Sequence, residues 1–134
     1  MKTKRTIFLL ALASIFIFAS CEKEAGEGGN SSIFGKVYVK DYNLTFDQLI
    51  GEYYGPDEEV YIIYGDDLSY SERIRTSYDG TYEFKYLRPG RYKIYAYSDT
   101  LKSISPSGKI EKIKEVEITD KNQDVEVEDI VIFK

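Results

Sequence analysis

From Ile33 onward the chain alternates large apolar side chains with charged ones, and a two-residue period admits little besides β-structure. In "IFGKVYVK", Ile33, Val37 and Val39 share one face with Gly35, while Lys36 and Lys40 share the other. "EVYIIYG" sets Val60, Ile62 and Tyr64 against Tyr61 and Ile63. "TYEFKY" sets Tyr82, Phe84 and Tyr86 against Glu83 and Lys85, and "RYKIYAY" sets Tyr92, Ile94 and Ala96 against Arg91 and Lys93. Such segments are expected to be half-buried antiparallel strands, one face on a core and one in water. "DVEVEDIVIF" alternates up to Glu128-Asp129 and then changes phase, as at a β-bulge. "GKIEKIKEVEIT" reads both ways: Ile110, Ile113 and Val116 suit a helical face, whereas Val116 and Ile118 alternate. Because it would be a lone helix, it is taken as a strand with Lys112 and Lys114 toward water.

Turn residues divide these segments. Asp79-Gly80 is a strong hairpin signal, since a type I′ turn needs positive φ at both central positions, so "ERIRTS" and "TYEFKY" are expected to pair. Pro89 and Gly90 suit the two central positions of a type II turn. Phe84 and Tyr92 then point inward from adjacent strands.

The stretch "DGTYEFKYLRPGRYKI", with Gly35-x-Val37 and Val60-x-Ile62 before it, resembles the carboxypeptidase regulatory-like domains. Their D-G-x-[FY]-x-F-x-x-L-x-P-G-x-Y pattern falls here on Asp79, Gly80, Tyr82, Phe84, Leu87, Pro89, Gly90 and Tyr92. The resemblance is firm over about residues 32–100 and looser to 134. It implies an all-β fold, a seven-stranded antiparallel transthyretin-like (prealbumin-like) β-sandwich. It implies little about activity, because such domains accompany enzymes, occur in outer-membrane transporters and stand alone as lipoproteins.

The first twenty residues follow another logic. "MKTKR" is basic and "TIFLLALASIFIF" almost wholly apolar, the pattern of a secretory signal and too short for a comfortable membrane span. "FASC" follows, resembling the lipobox of bacterial lipoproteins, with Phe18 where Leu is commoner and Cys21 the residue to be lipidated. Cys21 is the single cysteine, so no intramolecular disulfide can form. Residues 1–20 are therefore expected to be cleaved and 21–31, "CEKEAGEGGNS", to be a flexible tether, with the sandwich over 32–134. Acidic residues after Cys21 loosely resemble the surface-export signal of Bacteroidota lipoproteins; a plain solvated linker reads equally well.

Cleavage removes Lys2, Lys4 and Arg5 from the 18 basic residues and leaves 15 against 23 acids, a formal charge of −8. Such a surface disfavours nucleic acid and anionic headgroups. The expected hold on the membrane is the lipid, in the cell envelope and most naturally at the outer membrane, facing either side of it.

The chain has no histidine, which removes Ser-His-Asp and Cys-His systems and the usual zinc sites. No metal and no cofactor are expected. Asp41, Asn43, Thr45 and Glu52 have EF-hand spacing, but Phe46 occupies the position that needs Gly. Asp66, Asp67 and Glu72 read as a polar turn. An isopeptide bond from Lys36 or Lys40 lacks an Asn on the last strand.

Residues 41–59, "DYNLTFDQLIGEYYGPDEE", form a long connection rich in aromatics and acids. Loops of this length are commonly functional, so Phe46, Tyr53 and Tyr54 are the candidate ligand-binding residues. Thirteen tyrosines are distributed through the chain, of which Tyr61, Tyr95 and Tyr97 fall out of phase with the core. Tyrosine suits both binding surfaces and β-strands, and the pattern alone leaves both readings open. The reading is of a membrane-anchored, non-catalytic binding or assembly module with a protein or glycan partner. The alternatives are a small enzyme or enzyme accessory subunit acting on extracellular glycan, and a structural subunit pairing through a sheet edge.

Overall fold

A computed structural model describes residues 24–134. The signal segment, Cys21 and residues 21–23 of the expected tether lie outside the described residues. The described residues form nine strands and no helix. These are β1 (Glu27–Tyr42), β2 (Leu49–Tyr54), β3 (Glu59–Tyr64), β4 (Glu72–Arg75), β5 (Thr81–Leu87), β6 (Gly90–Asp99), β7 (Lys109–Ile118), β8 (Asp124–Glu126) and β9 (Ile130–Phe133).

Two sheets pack face to face. The sixteen-residue β1 is the spine of one. β5 and then β2 run antiparallel along one of its edges, and both meet Val37, whose N–H donates to Gly80 and whose carbonyl accepts from Gly55. β8 and then β9 run parallel to β1. The second sheet has the order β4-β3-β6-β7, all antiparallel. Ile33, Val37, Val39, Tyr82, Phe84, Leu87, Ile130 and Ile132 from the first sheet meet Val60, Ile62, Tyr92, Ile94, Ala96 and Ile118 from the second. Nearly all are fully buried, and each large side chain so removed from water contributes about 1.5–3 kcal/mol. Residues 109–118 are a strand, with Ile118 inward.

Seven strands were expected and nine are present. One addition is β2, which turns the supposed 41–59 loop into a hairpin on the end of β1. Asn43 closes its tip, accepting from the Asp47 N–H at 3.2 Å, and Leu49, Gly51, Glu52, Tyr53 and Tyr54 pair with Tyr42 back to Tyr38. The other addition comes from the last segment, where residues 127–129 separate two strands; the register against β1 moves from Phe34↔Glu126 to Val37↔Ile130, one extra residue on this segment, so the expected change of phase at Glu128-Asp129 is present. Both halves run parallel to β1 because the chain reaches them by crossing from β7 in the other sheet, which no hairpin constrains.

Most of the segment expected to be a tether is folded. β1 begins at Glu27, Ser31 is buried, and Ala25 packs on the core, so residues 25–31 belong to the folded body. Backbone bonding outweighs their polar composition: Gly26 accepts from the Arg88 N–H, and Glu27 and Ser31 both register with Leu87.

Both turn signals reverse or bend the chain without making the expected pairs. At Asp79-Gly80, Ser77 N–H donates to Thr81 at 2.8 Å and Gly80 N–H to Ser77 at 3.0 Å. Only Gly80 has positive φ, 79°, so the turn is not type I′. Asp79 secures it by accepting from Ser77 Oγ at 2.6 Å and Thr81 N–H at 3.2 Å. β4 and β5 nevertheless enter different sheets. Thr76, buried between them, donates to the Gly55 carbonyl at 2.6 Å and accepts from Glu58 N–H at 2.8 Å, which directs β4 toward β3. At Pro89-Gly90 the Gly90 φ of 150° is far from the roughly +80° of a type II turn. There the chain crosses between sheets, so Phe84 and Tyr92 point inward from facing strands. Tyr86, expected inward, adopts φ 59° and is 70% exposed; this local change of phase sends Leu87 inward in its place.

Candidate functional site

The three residues singled out in the 41–59 segment do not converge. Phe46 sits at the hairpin tip with φ 58° and stacks on Tyr42 at 6.1 Å. Tyr53 and Tyr54 are successive residues of β2 and so face opposite sides of the sheet. Tyr54 lies with Tyr38, ring centroids 5.2 Å apart, under the Lys36 ammonium at 4.7 Å, and donates to Asp129 at 3.2 Å. Tyr53 registers with Val39, on the core side but beyond the opposing sheet, and is 42% exposed.

The out-of-phase tyrosines do converge. Antiparallel register sets Arg73, Tyr61, Tyr95 and Ile113 in one row across the outer face of the second sheet. Tyr61 and Tyr95 stack at 4.9 Å with ring planes 9° apart. Tyr97 stands edge-on to both, at 5.5 and 5.6 Å, and Tyr70 from the β3–β4 connection meets Tyr61 at 5.1 Å. Tyr61 and Tyr95 are thereby buried without belonging to the core, while Tyr97 and Tyr70 remain 40% and 50% exposed. Stacked and edge-on pairs of this kind are worth about 0.5–1.5 kcal/mol beyond area alone, so the four rings form a preorganised surface.

Charged groups border the rings. Tyr61 donates to Glu59 at 2.7 Å, which, with Arg73 at 3.3 Å and Arg75 at 3.4 Å, holds the Glu59 carboxyl below the usual carboxylate range. Burial, and next the neighbouring Tyr97, push the Tyr95 phenol up to about 12, so that ring is neutral at physiological pH. Arg75 also holds Asp57 at 3.0 Å.

Beside Tyr97 opens a groove of about 530 Å³ at the end of the sandwich where β3 and β7 begin and β6 ends. Its walls are Asp57, Glu58 and Glu59, then Asp99, Ser107, Lys109 and Glu111, and Lys134. Lys109 pairs with Asp99 and Lys134 with Glu58. Burial works to lower the Lys134 pKa, but Glu58, Tyr53 and Asp99 outweigh it and hold it above the ordinary lysine value. None of the three residues picked from the hairpin lines this groove. Among the described residues Glu111 forms no ion pair.

The arrangement combines hydrogen-bond donors and acceptors of nearly balanced charge with an exposed aromatic wall. It can hold a polar ligand against a ring face. Sequence reasoning reached Tyr61, Tyr95 and Tyr97 through their phase. It missed Tyr70, which lies in a turn, and the groove's lysines and acids, which converge only through strand register.

No protein-family model and no curated protein matches the chain. Among solved structures it is similar to a Pseudomonas aeruginosa protein provisionally described as carbohydrate binding. That similarity has a TM-score of 0.48 at 14% identity and covers 82% of this chain and 92% of the other.

Proposed function

We propose that the protein is a lipid-anchored, non-catalytic binding module of the bacterial cell envelope, held through Cys21 at the outer membrane. The fold under this reading is a carboxypeptidase regulatory-like, transthyretin-like sandwich, enlarged by the β2 hairpin and with its last strand split in two. In its support, the motif residues hold the positions such a sandwich needs: Tyr82, Phe84 and Leu87 in the core, Asp79 in the turn, Tyr92 at the sheet crossing.

The ligand surface is the tyrosine face with its adjoining groove, and the observation that carries it is the preassembled ring cluster leading to an exposed Tyr97. The ligand class is an uncharged, hydroxyl-rich glycan. Sugar C–H faces stack on aromatic rings, and hydroxyls both donate and accept, so a border of carboxylates, ammoniums and guanidiniums, most of them already paired and Glu111 left to accept from a hydroxyl, satisfies them without demanding charge. The test uses xylo-, manno-, cello- and laminari-oligosaccharides, with calorimetry for affinity and mass spectrometry for chain length after incubation. Binding with the oligosaccharide intact is expected. A shortened product makes the protein a glycoside hydrolase, and absence of heat with all four sugars removes the glycan reading.

A protein partner is the second reading, favoured by exposed Leu44, Leu101 and Ile104 on the connections at the same end of the sandwich. In that case their replacement by Ser abolishes capture of the partner while leaving sugar titrations silent.

A further inference from the structure

The N-terminal segment is fastened across both sheets at one end of the molecule. Gly26 N–H donates to the Tyr92 hydroxyl at 2.9 Å, and Gly26 accepts from Arg88 N–H at 2.8 Å. Ala25 lies so close to Gly90 that a Cβ there would approach the alanine methyl at 2.6 Å, and it also faces Gly65. The start of β6 and the ends of β3 and β5 therefore surround residues 25–28. At the opposite end lie Asp99, Lys109, Glu58 and Lys134, the groove residues. The ten residues of β6 join the two ends, a span of about 30 Å.

Only residues 22–24 separate Cys21 from Ala25, a length of chain that reaches at most about 14 Å when fully extended. Resting on the lipid anchor proposed above, we infer that the Ala25–Gly65–Gly90 end of the sandwich sits on the bilayer surface and the groove faces away from it. The partner of this end is a lipid headgroup layer. Leu68, fully exposed on the β3–β4 connection, and exposed Tyr86 at the end of β5 lie at this end. Leucine and tyrosine are side chains that the membrane interface accommodates. Exposed apolar residues occur at the groove end as well, so the short reach from Cys21, and not apolarity, sets the direction. A long flexible tether would leave the body free to tumble; a fastened one fixes the groove outward, toward polymers or partners beyond the headgroups.

The experiment uses the full lipidated protein in phosphatidylethanolamine–phosphatidylcholine vesicles, which present no net charge to the exposed Asp66 and Asp67 at this end, carrying a headgroup-labelled energy acceptor. Acylated Cys21 has no free thiol, so Ser69→Cys, near the fastened end, and Ser103→Cys, in the β6–β7 connection, each take one donor dye. Both sites are exposed. Energy transfer several-fold stronger from position 69 than from 103 is expected. Inserting about 20 Gly-Ser residues between Glu22 and Lys23 should level the two. Equal transfer without the insertion, or stronger transfer from 103, overturns the orientation while leaving the anchor intact. Intact mass of the membrane fraction separates the two readings: absence of acyl mass on Cys21 overturns the anchor itself, and the orientation with it.

Discussion

The Tyr92 hydroxyl donates a 2.6 Å hydrogen bond to the carbonyl of Arg88, four residues upstream, and accepts a 2.9 Å bond from the Gly26 N–H. One phenol thus ties the crossing between the sheets to the segment that precedes β1. This is the arrangement known as a tyrosine corner in other sandwiches. Tyr92→Phe keeps the buried ring and leaves a backbone donor and acceptor unpaired, with an expected cost of about 1–3 kcal/mol in a denaturant titration. Amide exchange at Gly26 should accelerate more than at Ile94. Equal acceleration at both would show general destabilisation in place of release of the corner.

Core phase is tested on β5. Phe84 is 1% exposed and Glu83 beside it faces water. Phe84→Ala should cost about 3–5 kcal/mol and Glu83→Ala less than about 0.5 kcal/mol. Equal shifts in the denaturation midpoint would contradict the strand phase.

Replacing residues 43–55 by a short Gly-Asn linker should destabilise the protein. As a bare loop the segment would be nearly dispensable, since closure entropy changes slowly with length. As a hairpin it supplies the β1–β2 ladder, the Tyr38–Tyr54 pair and the Gly55 carbonyl that holds Thr76. A loss of about 2 kcal/mol or more is expected from unpaired buried groups together with the lost aromatic pair. An unchanged midpoint would mean that the hairpin contributes nothing to folding.

Acid stability should depend on Asp79. Ser77, and next Thr81, hydrogen-bond its carboxylate and lower its pKa to about 2, against about 3.9 for a free aspartate. Because the folded value is the lower one, the stabilisation is present above the unfolded pKa and is lost as pH falls from about 4 toward 2. Asp79→Asn should flatten that part of the stability profile while leaving its shape above pH 5 unchanged. An unaltered acid limb would show that the turn bonds do not favour the charged form.

The inward residues of β1, β3, β5 and β6 were legible because alternation reports burial directly, and Val37, Ile62, Phe84 and Ile94 are where their phase puts them. The pairings were less legible. Asp79-Gly80 encodes a local reversal, but Thr76, three residues earlier, decides which sheet β4 joins through contacts with residues 55 and 58. Tyr86 escaped the pattern because a single left-handed residue inverts phase without any glycine to announce it. Polar residues 25–31 read as linker because their partners, Leu87, Arg88 and Tyr92, lie some sixty residues away. The same non-local logic hid the groove, whose acids and lysines come from four separate stretches of chain. Tyr61, Tyr95 and Tyr97 were visible as exceptions, since tyrosine on the outward phase of adjoining strands must stack or stand exposed.

The most direct test of that surface is the affinity of Tyr97→Ala for the neutral oligosaccharide that the wild-type protein binds most tightly, with Tyr78→Ala as a control. Tyr78 is 94% exposed in the turn before β5 and touches neither rings nor groove. A drop of at least about tenfold, or 1.4 kcal/mol, is expected for Tyr97→Ala. Its denaturation midpoint should change by no more than the loss of its edge-on contacts, about 1 kcal/mol, and Tyr78→Ala should bind as wild type. Wild-type affinity in Tyr97→Ala, or equal losses in both variants, would contradict the assignment of the tyrosine face and its groove as the ligand surface.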